Sequence, residues 1–125
     1  MTTFDFEIFE RVVSGAYQST QSVYRLEEVL DVFRYFLCRY SQERGEDHPP
    51  LRREQVAKFI RSMPYFYPED HSVNDLPDIE AELYPDLINA YFQTYFPRCD
   101  YRMGHFFAGQ VRELRFYETM LKGGG

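Results

Sequence analysis

The sequence predicts an all-α protein, a single small domain built as an irregular bundle of about five helices. Three observations lead there. Apolar residues recur at three- and four-residue spacing in five stretches of the chain. Prolines and glycines fall mostly between those stretches, where they punctuate them. No run alternates apolar and polar residues long enough to make a strand, and no Asn-Gly or Asp-Gly hairpin turn is present. The chain of 125 residues is long enough to bury a core without disulfides or metals. The domain is expected over residues 1–122, with Gly123–Gly125 as a flexible tail.

The first helix is expected from about Thr3 to Val13. Phe6, Phe9 and Val13 make its stripe, Phe4 and Ile8 lie beside it, and Gly15 is placed to end it. The second spans 23–44, where Leu26, Val29, Leu30, Phe33, Phe36, Leu37 and Tyr40 keep a 3.6-residue period. Ser22 is its candidate N-cap, Glu27 and Glu28 suit the positive end of the helix dipole, and Gly45 supplies the stop. Cys38 falls next to the stripe and is expected to be a small buried hydrophobe.

The prolines at 49 and 50 close a loop and suit a helix start after them. The third helix follows from about Leu51 to Met63, with Val56, Phe59, Ile60 and Met63 on its apolar face and Pro64 as its stop. Residues 64–77 hold three prolines and read as irregular. A helical turn at Asp78–Leu83 leads to a fourth helix opened by Pro85, since Tyr84 before it is biased away from helix. Its face is Leu87, Ile88, Tyr91, Phe92 and Tyr95, and Pro97 ends it. A last helix is expected from about Met103 to Leu121, carrying Phe106, Phe107 and Val111 inward. Gly104 and Gly109 each cost it roughly 1 kcal/mol relative to Ala, so a break at Gly109 is plausible.

Composition narrows the function classes. No stretch approaches the ~18 apolar residues of a membrane span, so no membrane partner is expected. Two cysteines and an N-terminus without a basic, apolar leader fit a reducing, cytoplasmic setting. Eleven Tyr and twelve Phe exceed what a core of this size obviously needs; the plain reading is a Phe-packed core with Tyr at its rim, and the further one is a surface that meets a partner. The net charge of −6 is laid down in blocks: residues 49–64 carry four bases and one acid, whereas 65–96 carry seven acids and no base.

No chemical motif is complete. The histidines His48, His71 and His105 and the two cysteines match no CxxC, HExxH or EF-hand spacing, so no metal and no cofactor are expected. The expected positions are solvent for the two loop histidines and the last helix for His105. Cys99 stands in Arg98-Cys-Asp-Tyr-Arg102, where close guanidiniums would favour a thiolate, and a His and an Asp could serve it. The more ordinary reading is a partly buried structural thiol. Asp75, Asp78, Glu80 and Glu82 read as a solvated acidic surface rather than a Mg²⁺ site.

The expected function is therefore non-enzymatic: a domain that binds a protein partner or itself, as a homodimer, with Tyr65, Phe66 and Tyr67 as the candidate contact residues. The alternative is a small DNA- or RNA-binding accessory protein. It would use the basic helix at 52–62, through Arg52, Arg53, Lys58 and Arg61, with Arg112 and Arg115 as further candidates. Against it stand an acidic, proline-bound turn before that helix and an isoelectric point near 5.0.

Overall fold

The computed structural model describes residues 5–63 and 80–107. It contains α1 (Phe6–Gln18), α2 (Leu26–Arg44), α3 (Arg53–Ser62), a 3₁₀ turn (Ala81–Leu83), α4 (Tyr84–Gln93) and α5 (Met103–Phe106), with no strand among the described residues. The all-α bundle is the fold that the apolar periodicity predicts.

α1 starts where Asp5 accepts the N–H groups of Glu7 (3.0 Å) and Ile8 (3.2 Å) on one carboxylate oxygen, which answers two of the helix's orphan donors. It does not stop at Gly15. The helix continues to Gln18, and the glycine serves a close approach instead. A Cβ at Gly15 would lie 3.3 Å from the Arg53 guanidinium, which crosses from α3 and donates to the Gly15 carbonyl at 2.9 Å. Ser19 and Thr20 then close the end, their hydroxyls donating back to the carbonyls of Ala16 and Tyr17. Phe9, Val13 and Ala16 face inward, while Phe6 and Ile8 stay exposed.

α2 begins at Leu26 because the backbone N–H of Arg25 donates to Glu28 Oε1 at 2.8 Å, the acidic half of a capping box. Ser22 is not the cap; its hydroxyl accepts from the Tyr24 N–H two residues on. Gly45 ends the helix in the left-handed region at φ +71° and donates to the Ser41 carbonyl at 2.9 Å. Val29, Val32, Phe33, Phe36, Leu37 and Tyr40 are buried. Cys38 is exposed, contrary to expectation. One residue past Leu37 is a rotation of about 100°, which carries the thiol off the buried stripe and onto the solvent flank.

α3 packs on α1, and α2 packs on α4. The α3 start repeats the device of α2, with the Arg52 N–H donating to Gln55 Oε1 at 3.0 Å. Tyr84 takes helical dihedrals (φ −61°, ψ −38°) in spite of the proline after it, so α4 begins one residue early. A tertiary anchor holds it there: its ring is fully buried and its hydroxyl donates to the Met63 carbonyl at 2.7 Å. At the other end Thr94 turns extended, which takes Tyr95 off the α4 face and leaves it 80% exposed rather than buried.

α5 is a single turn with large consequences. Phe106 lies against Phe36 and Tyr91, both 5.2 Å between centroids. Phe107 stacks on Phe59 at 5.1 Å and meets Phe33 edge-on at 5.9 Å. One pair of rings thus reaches α2, α3 and α4 together. His48 fastens the turn. Its ring is 5% exposed, against the expectation of a solvated loop histidine. Nδ1–H donates to the Pro49 carbonyl (2.8 Å), and Nε2 accepts the Met103 N–H (2.9 Å), an orphan donor at the start of α5. Tyr40 packs on the ring at 4.8 Å. The expected helical continuation to Leu121, the Gly109 break and the glycine tail lie outside the described residues.

Candidate functional site

Between α4 and α5 the chain must turn sharply after Pro97, and two non-glycine residues adopt left-handed dihedrals to do it: Arg98 (φ 58°) and Tyr101 (φ 57°). Each such residue costs of order 1 kcal/mol, which the surrounding contacts must offset. Tyr101 supplies much of that offset. Its hydroxyl donates to the Thr94 carbonyl at 2.7 Å and accepts the Phe96 N–H at 2.8 Å, so one side chain pins both ends of the loop.

The turn brings Cys99 onto α5. Its sulfur accepts the Tyr101 N–H at 3.1 Å and lies 3.1 Å from His105 Nδ1. The Tyr91 hydroxyl, from α4, completes a triangle at 2.8 Å from Nδ1 and 3.7 Å from the sulfur. The Tyr91 hydroxyl and the Cys99 thiol can each donate to His105 Nδ1 as acceptor, and the sulfur in turn accepts the Tyr101 N–H. Burial first, and then neighbouring Cys99, pushes the Tyr91 phenol far above its ordinary range, which keeps it a donor.

Cys99 is half-buried and opens into a groove of about 330 Å³. The walls are Phe92, Tyr95, Phe96 and Tyr101, with Glu43, Arg44 and Arg98 at the rim. The Arg44 guanidinium sits 5.3 Å over the Tyr101 ring. Arg102, one of the two arginines flanking Cys99 in the sequence, pairs with Asp100 at 3.3 Å. A second groove, of about 310 Å³, is lined by Phe6, Leu37, Cys38, Ser41, Gln42, Asp47 and His48.

No protein-family model matches the chain, and no curated protein or solved structure gives a significant match.

Arg52, at the N-cap of α3, and Arg53, Lys58 and Arg61 on it are all exposed. Arg53 is committed to α1 through the Gly15 carbonyl, which leaves three cations facing outward. Tyr65, Phe66 and Tyr67 lie outside the described residues, as do His71, Asp75, Asp78, Arg112 and Arg115. Glu80 and Glu82 are exposed beside the 3₁₀ turn. Among the described residues no three His, Cys, Asp or Glu side chains converge as a metal site would require. Sequence reasoning noticed Cys99 and His105 but placed Tyr91 only in the core. The proline at 97 was the available signal that the chain would double back and bring the three together.

Proposed function

We propose that this helical domain is a non-enzymatic interaction domain, and that the groove around Tyr95 is where a protein partner docks. The observation that carries the reading is Tyr95 itself: a large aromatic ring that is 80% exposed, beside Phe92, Phe96 and Tyr101 and bordered by arginines. An aromatic anchor within a charged rim is the composition that concentrates binding energy at interfaces. The expected contact residues Tyr65, Phe66 and Tyr67 lie outside the described residues.

The first partner to test is a second copy. The chain carries its own counterpart to Arg44 and Arg98 in residues 65–96, which hold seven acids and no base. Light scattering over a concentration series is expected to show a dimer that weakens with salt. Tyr95→Ser is expected to weaken it about tenfold or more, the usual loss at an aromatic hot spot. A chain that stays monomeric throughout, or a dimer indifferent to Tyr95→Ser, would refute self-association through this groove.

A second reading has one observation in its favour, the exposed Arg52 at the N-cap of α3 with Lys58 and Arg61 on it. Nucleic-acid binding there would appear as retention of a short duplex at ~50 mM salt, lost at higher salt. Arg52→Ala with Arg61→Ala is expected to abolish it. No retention at low salt ends the idea.

A further inference from the structure

We propose that Cys99 is a nucleophilic thiol that exchanges with small, carboxylate-bearing disulfides, taking a mixed disulfide at the floor of the groove. The claim is independent of protein docking there, since it concerns a covalent adduct on one side chain.

The protein provides a comparison within itself. It has two free cysteines, and exposure alone would make Cys38 the reactive one. Nucleophilicity belongs to the thiolate, however, and depends on what neighbours do with the proton. Cys99 has His105 Nδ1 at 3.1 Å to hold that proton, its sulfur accepts the Tyr101 N–H, and the Tyr91 hydroxyl lies 3.7 Å away. Cys38 shares its groove with His48, but both nitrogens of that ring are engaged, one by the Pro49 carbonyl and the other by the Met103 N–H. Among the described residues, the half-buried cysteine thus has a ring nitrogen within hydrogen-bond distance and the exposed one has none.

The step balances without a further oxidant. The Cys99 thiolate attacks one sulfur of R–S–S–R. A Cys99–S bond forms as the S–S bond breaks, and the departing thiolate takes the proton from His105 Nδ1 to leave as R–SH. A free thiol reverses the reaction by the same route. Arg44 and Arg98 at the rim provide positive charge for carboxylates on R, while Glu43 on the same rim disfavours a dianion placed close to it. The ligand class that fits has its carboxylates spread apart around a central disulfide.

The test uses the whole chain with oxidised glutathione as the probe and hydroxyethyl disulfide as a neutral control, read by intact mass and peptide mapping over time. Cys99 is expected to be modified at least about tenfold faster than Cys38. His105→Gln is expected to remove that advantage and leave the Cys38 rate unchanged. Oxidised glutathione is expected to react several-fold faster than the neutral disulfide, with the margin closing in Arg98→Ala and at high salt. Equal or faster modification of Cys38 in the unaltered chain overturns the proposal with no variant needed. So does a Cys99 rate that His105→Gln does not change. Equal rates for the two disulfides overturn the assignment of a carboxylate-bearing ligand.

Discussion

Phe36→Ala is expected to destabilise the protein by about 3–5 kcal/mol, the range for truncating a buried aromatic ring. Phe36 is fully buried and sits where three elements meet. Phe92 and Phe106 lie 5.2 Å from its centroid, and Tyr91 lies at 6.1 Å. Alanine there would leave a cavity walled by rings, which are too bulky and too well packed to collapse inward. Since whole domains are stable by only about 5–15 kcal/mol, such a loss would remove a large share of the total stability. Chemical denaturation should show it as a much lower midpoint. Phe36→Leu, which refills most of the space, is expected to recover more than half. A loss below about 1 kcal/mol for the alanine variant would mean that α2 is not held against α4 and α5 as described.

The second large effect is on pH. Burial pushes His48 below its ordinary value, and the backbone bond to Pro49 only partly opposes this. The folded state therefore favours the neutral ring, which its bonding requires, because a protonated Nε2 could not accept the Met103 N–H. In the interval between the lowered folded pKa and the unfolded value near ~6.5, the unfolded chain binds the extra proton. Stability is thus fully present above about pH 6.5 and falls as the solution is acidified through that interval, at up to about 1.4 kcal/mol per pH unit. Unfolding free energies at steps from pH 7.5 to 5 should show this slope. His48→Gln should be less stable at neutral pH and should flatten the profile. Parallel profiles for the two proteins would rule His48 out as the source.

How far the sequence could be read depends on whether a position answers to local or to distant contacts. The core of α2 was legible because its stripe repeats over more than four turns, so an error at Ser22 leaves the pattern intact. Cys38 was misplaced because the helical wheel changes side within one residue. Gly15 reads as a helix stop by local rules, yet the reason for a glycine lies 38 residues away in the guanidinium of Arg53. Tyr84 likewise defies its following proline for a carbonyl 21 residues distant. The candidate site was hidden for the same reason. Cys99 and His105 are six apart, a spacing that matches no motif, and they meet only because Arg98 and Tyr101 accept left-handed dihedrals.

The position of Phe106 and Phe107 has a consequence for the order of events during synthesis. The rings that join α2, α3 and α4 follow all three helices in the sequence, so a ribosome must translate past residue 107 before the core can close. Until then Phe33, Phe36, Phe59 and Tyr91 lack their shared partners and present a sticky surface. The nascent chain is expected to wait, helical but open, and to be a client for chaperones until α5 emerges.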